Sequence, residues 1–196
     1  MSWRWGEVVM TGFSYTAAML QHSHPPILDV AHAALAGTAL KGVDKLSSFE
    51  RLKVESQGDT AGKTVYWSAS FALRVDQAGR QSVWLDLAVD VSLEQICQRC
   101  LQPVTVAVHA ESAFRFVASE AVAEQEDDDC EEDLLVTSRT FDLAALIEDE
   151  VLLELPLVPR HEVCPVPVKT TIADPEFDQA DGKPNPFAAL AALKGR

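Results

Sequence analysis

Residues 65–75 read VYWSASFALRV, and this stretch decides the fold. Every second residue from Val65 to Val75 is apolar, whereas the positions between them are mostly small or polar. Successive side chains of a β-strand point to opposite faces, so this period of two predicts a strand with one buried face. The residues after it, QAGR at 77–80, are typical of a turn.

Two later runs repeat the alternation. The first places Val83, Leu85, Leu87, Val89, Val91 and Leu93 on one side, and the second places Val104, Val106, Val108, Ala110, Phe114 and Phe116 on one side. Runs joined by short turns favour an antiparallel sheet. Residues 48–56 are expected to add a fourth strand through Phe49, Leu52 and Val54. We therefore predict an α+β fold, with an antiparallel, strongly curved sheet or partial barrel of long strands and a few flanking helices.

Two helices are predicted beside the sheet. Asp29 is a suitable N-cap for a short helix over Val30–Leu40, which the glycines in and after it limit. Asp142 is a suitable N-cap for a second helix, which Pro156 ends. The apolar face of this second helix consists of Leu143, Leu146, Ile147 and Val151.

The 196 residues, 47% of them hydrophobic, fit one folded domain with tails. We expect a flexible N-terminal extension at 1–26, a single α+β domain at 27–160 and a Pro-rich extended tail at 161–196 that ends in a short helix. No run of 18 uncharged apolar residues occurs, so no membrane span is expected. Glu7 and the weak apolar run after it disfavour a signal peptide.

The net charge of −14 is unevenly distributed. Residues 1–110 contain 9 Lys+Arg and 10 Asp+Glu, whereas residues 111–196 contain 7 and 20. The densest acidic run, Glu124–Asp133, lies in a stretch expected to be a loop at 118–133. It is either a solvated loop or an acidic arm that mimics nucleic acid toward a basic partner.

Basic residues of the nearly neutral half are the candidates for RNA contact. Arg99 is the best placed because a turn projects it, and an arginine can pair with a phosphate through two hydrogen bonds. The other candidates are Lys41, Lys45, Arg51, Lys53, Lys63, Arg74 and Arg80. The alternative is that these are ordinary surface charges.

The C-terminal residues 183–194, KPNPFAALAALK, predict a short amphipathic helix with Phe187, Leu190 and Leu193 on one face. So short a helix needs a docking site, either on its own domain or on a partner. We favour these three residues as a partner-binding element.

Three stretches together resemble the YceD family, the large ribosomal RNA subunit accumulation proteins. They are residues 97–100 (CQRC), residues 141–159 from Phe141-Asp142-Leu143 to the Pro159 that closes LPLVP, and residues 183–187 (KPNPF). The resemblance covers roughly residues 27–196. It implies a bacterial, cytoplasmic protein that acts in the synthesis, processing or stability of 23S rRNA, with no known catalysis.

Cys97 and Cys100 lie at the turn between the second and third long strands, where a C-x-x-C can place two thiolates on one zinc ion. His161 and Cys164 have a suitable spacing and lie where many relatives outside this chain's subgroup carry a second C-x-x-C. The departure from that second pair weakens the transfer of a four-cysteine site, yet a Cys3His zinc site is compatible with the residues. The alternative is that the cysteines are small buried turn residues and that the chain has no cofactor.

No Walker A, G-x-G-x-x-G or G-x-S-x-G motif is present, so we do not expect an enzyme or a small-molecule substrate. The carboxylates Glu148, Asp149, Glu150 and Glu154 are interpreted as a solvated helix face rather than a metal site. Two functions stay open. The chain either supports 23S rRNA or its precursor, directly or through ribosomal proteins, or acts as an acidic adaptor or chaperone for a basic ribosomal protein or nuclease.

Overall fold

The structure, a computed structural model, describes residues 20–22, 24–75, 79–127, 130 and 132–168. Its elements in chain order are β1 (Leu20–His22), β2 (Ile27–Leu28), α1 (Val30–Leu35), β3 (Ala39–Lys45), a 3-10 turn (Leu46–Ser48), α2 (Glu50–Glu55), β4 (Thr64–Val75), β5 (Gln81–Ile96), β6 (Pro103–Val117), α3 (Glu120–Glu126), β7 (Asp133–Val136), β8 (Phe141–Asp142) and α4 (Leu143–Glu154). The predicted α+β class is confirmed.

Six strands form one sheet in the order β1-β3-β4-β5-β6-β7, and β2 pairs with β8 separately. The pairs among β3, β4, β5 and β6 are antiparallel, whereas β1 and β7 run parallel to their neighbours at the two edges. The sheet does not close on itself, so the predicted partial barrel fits only loosely. Residues 20–22, within the predicted N-terminal extension, form one edge of the sheet.

The three long alternating runs are strands, as predicted, and their apolar positions are buried. Val65, Phe71 and Leu87 are at most 3% exposed and join one core cluster with residues of α1 and α4. The two helices therefore lie on the inner face of the sheet. The outer face carries the intervening polar and small residues, among them Tyr66 and Asp90.

Two sequence predictions for the segment before β4 are wrong. Residues 48–56 form the end of a 3-10 turn and helix α2 rather than a fourth strand. Phe49 and Leu52 are both buried, and their spacing of three is helical, while Val54 is 75% exposed. The helix over Val30–Leu40 ends early, at Leu35.

Strand β3 follows α1 directly, although the sequence did not predict it. Gly37, at φ +60°, ends the helix in the left-handed conformation that glycine adopts without strain. Gly42 lies inside β3, where a Cβ atom would come within 2.6 Å of the Trp67 indole. That indole donates a 2.6 Å hydrogen bond to the buried Asp44 carboxylate. Gly42 is therefore required by a packing contact from the neighbouring strand.

The acidic segment at 118–133 contains helix α3 where the sequence analysis expects a loop. Arg115 on β6 anchors the segment, since its Nη1 lies 2.6 Å from Glu126 and its Nε lies 2.9 Å from Glu132. The run is thus partly neutralised by a half-buried arginine. No helix among the described ranges is long and apolar enough to cross a membrane.

Candidate metal centre

The turn after β5 holds the C-x-x-C motif in a tight backbone conformation. The Cys97 N–H donates to the Gln102 carbonyl at 2.9 Å, and the Leu101 N–H donates to the Cys97 carbonyl at 2.8 Å. Leu101 has φ 59°, a left-handed conformation that non-glycine residues seldom adopt. Such strained residues persist where the surrounding structure holds them, and here the turn places Cys100 next to Cys97.

The chain returns to this turn after α4. Pro156 ends the helix, and the Gln98 N–H then donates to the Pro159 carbonyl at 2.8 Å. Two residues later, the His161 N–H points at the Cys97 Sγ atom at 3.4 Å. These two contacts fix the returning segment 159–164 against the hairpin.

The ligand atoms of Cys97, Cys100, His161 and Cys164 all lie within 4.8 Å of one another. The His161 Nδ1 atom is 3.4 Å from the Cys100 Sγ atom. Tetrahedral zinc with Zn–S bonds of about 2.3 Å has ligand separations of roughly 3.5–3.8 Å, so a small closure of the cluster completes the geometry. The structure therefore brings together all four metal ligands that the sequence nominates.

The imidazole of His161 is oriented by a second contact. Its Nε2 atom lies 3.0 Å from the Pro103 carbonyl oxygen at the start of β6. Because a carbonyl only accepts, Nε2 carries the proton there, and the lone pair of Nδ1 faces the sulfur atoms. Metal-binding histidines are held in this way by a backbone acceptor on the other ring nitrogen.

The surroundings of Cys97 favour its thiolate. Burial opposes ionisation, but backbone N–H groups of His161, Cys100 and Arg99, together with the Cys100 thiol, lower the pKa of Cys97 to about 5. Burial and the neighbouring sulfur atoms raise the pKa of Cys164 instead. A cation bound in the cluster would stabilise the thiolate form of both cysteines.

The structure does not bring the predicted RNA-binding residues together in one place. Arg99 is exposed at the tip of the hairpin, and Lys41 and Lys45 are exposed along β3. Arg51 is not free, because it pairs with Glu148 and Asp149 on α4. The Lys53 Nζ atom lies 3.8 Å from the Glu50 Oε2 atom on the same helix. The predicted partner-binding residues Phe187, Leu190 and Leu193 lie outside the described residues.

The sequence predicts that the carboxylates of α4 form a solvated face, but two of them make structural contacts. Glu148 accepts hydrogen bonds from the backbone N–H of Arg51 at 2.8 Å and from its Nε at 3.0 Å, so it caps α2 from a distant element. Glu150 is buried and accepts a hydrogen bond from Ser112. Its spacing of four from Leu146 places it on the apolar face, a signal present in the sequence.

The part of the chain that is similar to known proteins contains all four residues of the metal-ligand cluster. The family model described as "Large ribosomal RNA subunit accumulation protein YceD" matches residues 85–194. The protein of that name from Haemophilus influenzae is 36% identical over 108 residues, which are 54% of this chain and 61% of the relative. The match thus spans about three fifths of that relative's length. No solved structure matches the chain.

Proposed function

The chain belongs to the YceD family, and from that premise we propose that it acts in the accumulation of 23S ribosomal RNA, as a cytoplasmic factor without catalytic activity of its own. One observation carries the proposal: the family match, at residues 85–194, includes β5, the cysteine hairpin, β6 and α4. The relative from Haemophilus influenzae bears the name of a large ribosomal RNA subunit accumulation protein.

The four-ligand cluster supports a structural role for zinc within this function. Zn²⁺ would be held by Cys97, Cys100, His161 and Cys164 and would fasten the segment after α4 to the hairpin tip. Four protein ligands leave no open position for a reacting water, which is typical of structural rather than catalytic zinc. The exposed Arg99 beside the ligands would then be presented on a rigid turn.

Depletion of the chain in its own host tests the proposal. The ratio of 23S to 16S rRNA should fall, and re-expression of the intact chain should restore it. A Cys100→Ser chain should restore it poorly, whereas Cys130→Ser, which alters a thiol outside the cluster, should restore it fully. An unchanged rRNA ratio after depletion would contradict the proposed function.

A second candidate is an acidic adaptor for a basic protein, and the charge distribution favours it. Residues 111–196 carry 20 acidic and 7 basic residues. In α3, Glu120 and Glu124 are exposed. The two candidates differ in what the purified chain binds. Direct RNA binding weakens steeply as salt rises and needs RNA alone, whereas the adaptor binds a basic ribosomal protein and leaves naked RNA unbound.

A further inference from the structure

A cavity of about 450 Å³ opens on the outer face of the sheet, across β4, β5 and β6. Its volume lies within the roughly 300–1,000 Å³ of small-ligand sites. Tyr66, Asp90 and His109 stand in one row across three strands, since Tyr66 pairs with Asp90 and Asp90 pairs with His109 in register. The next row contains the small Ala107, which leaves the space between the larger side chains open.

The walls of the cavity combine an aromatic surface with hydrogen-bonding groups. Tyr66 is 49% exposed, although a tyrosine in a folded domain usually buries its ring. Asp90 is 58% exposed and lies 2.7 Å from His109 Nδ1. The Tyr66 ring offers a surface on which a planar heterocycle can stack. The Asp90 carboxylate and the His109 imidazole offer hydrogen-bonding partners for the edge of that heterocycle.

Lys63 adds an unsatisfied donor to the same cavity. Its Nζ atom is buried and makes no hydrogen bond to any described residue. Its nearest carboxylate, Glu94, is 3.6 Å away, which is an ion pair beyond hydrogen-bonding distance. Nζ therefore has hydrogen-bonding capacity that Glu94 does not use, and a ligand oxygen that reaches it would be favoured.

A basic edge runs beside the cavity. Lys41 and Lys45 are both exposed, and neither pairs with an acidic group in the described part of the chain. Val43, midway between them, is the register partner of Tyr66, so the two lysines stand on the outer face on either side of the tyrosine. Four residues of strand separate them by about 13 Å, which a strand of a few nucleotides can span.

We infer that this face binds single-stranded RNA, with one unpaired base in the cavity against Tyr66 and the flanking phosphates along Lys41 and Lys45. The inference rests on the proposed function and names its RNA-contact surface. Aromatic stacking beside a basic track is how proteins hold unpaired nucleotides. The charge around the site is mixed, because Asp90 and Glu111 contact His109 and Glu94 pairs with Lys63. The phosphates would therefore follow the edge that carries the exposed Lys41 and Lys45.

Fluorescence anisotropy with a labelled ten-nucleotide single-stranded RNA tests the inference on the full-length protein. Tyr66→Ala should weaken binding by roughly 5- to 100-fold, the loss of one stacked base, whereas Tyr66→Phe should bind like the unaltered protein. The double variant Lys41→Gln/Lys45→Gln should reduce the slope of log affinity against log salt by about 1.4. Arg139→Gln, an exposed residue between β7 and β8, is the control and should leave the slope unchanged.

Three results would overturn the inference: no measurable binding of the RNA, equal binding by the Tyr66→Ala and unaltered proteins, or binding of a basic peptide at this face in place of RNA. Melting curves of each variant check that Tyr66→Ala is folded. If it is not, the salt slope of the Lys41→Gln/Lys45→Gln variant still decides, and an unchanged slope would contradict the inference. The two proposals fail separately. A normal 23S to 16S ratio after depletion of the chain contradicts the proposed function, whereas a Tyr66→Ala chain that restores the ratio fully contradicts only the RNA site.

Discussion

The Nδ1 atom of His161 lies 3.4 Å from the Sγ atom of Cys100, although 61 residues separate them along the chain. The elements β6, α3, β7, β8 and α4 lie between the two. The contact therefore joins the segment after α4 to the tip of the β5–β6 hairpin. Its stability depends on what holds the four ligand atoms together.

The protein purified without a tag should contain one zinc ion per chain by elemental analysis. Cys100→Ser should remove the zinc and lower the melting temperature by roughly 5–10 °C, because metal binding and the order of the bound segments are coupled. Cys130→Ser is the control, since the Cys130 thiol contacts the Glu132 carbonyl in the acidic segment instead. A metal-free protein that melts normally would refute the site.

The second prediction concerns the buried face of the sheet. Phe71 is 2% exposed in the middle of β4, and Ser70 beside it points to the outer face. Phe71→Ala should lower the free energy of unfolding by about 3–5 kcal/mol, through lost burial and the cavity left behind. Ser70→Ala should change it by less than about 0.5 kcal/mol in the same denaturant titration. A larger effect at Ser70 would place the register one residue off.

The sheet was predictable because its signal is local and repeated. Alternation over 11 or more residues identifies a strand wherever it packs, and β4, β5 and β6 all carry it. Strand β3 was not predictable, because it contains Gly42, a residue that weakens strands. Only the Trp67 indole from the next strand explains that glycine.

The sequence identifies the metal ligands by residue type, but it does not establish that the fold brings their side chains close together. Whether His161 reaches Cys100 depends on the path of residues 155–160, which has no period and is set by single contacts such as Gln98 to Pro159. The cap that Glu148 provides for α2 was not predictable either, because the Arg51 N–H that it accepts from is 97 residues away.

The third prediction separates the two roles of Glu148. Glu148→Ala removes a side-chain cap from the N-terminus of α2 and should cost about 1–2 kcal/mol of stability. Arg51→Ala leaves that cap in place, because Glu148 bonds to the Arg51 backbone N–H. It removes the half-exposed ion pairs with Glu148 and Asp149 and the hydrogen bond to the Ala145 carbonyl. It should cost less than about 1 kcal/mol. Chemical denaturation of both variants decides the order, and a larger loss for Arg51→Ala would contradict the capping role.

The fourth prediction concerns the C-terminal segment, which lies outside the described residues and is argued from the sequence alone. The family match extends to residue 194, so residues 183–194 belong to the matched region. Deleting residues 183–196 should leave the melting temperature nearly unchanged and abolish association with ribosomal precursors in sucrose gradients. A large drop in melting temperature would assign Phe187, Leu190 and Leu193 to the folded core instead, and retained association would remove them from the function.

The fifth prediction follows from the buried carboxyl group of Glu150 on α4. Burial raises its pKa above the ordinary value of 4.5, and the carboxylates of Asp133, Asp149 and Glu154 raise it further, against the opposing hydrogen bond from Ser112. An acid whose pKa is higher in the folded protein binds its proton more tightly there. The folded state therefore loses stability as the pH rises through this range.

Glu150→Gln removes that titration and keeps an oxygen that can accept the hydrogen bond from Ser112. The variant should therefore melt at a higher temperature than the unaltered protein at pH 7.5, and the difference should shrink toward zero near pH 4, where the carboxyl group is protonated in both states. Glu120→Gln, an exposed change on helix α3, is the control for the loss of one carboxylate elsewhere on the surface. If Glu150→Gln were instead the less stable protein at pH 7.5, the ionised carboxylate would be a net stabilising partner of Ser112, and burial would not govern this site.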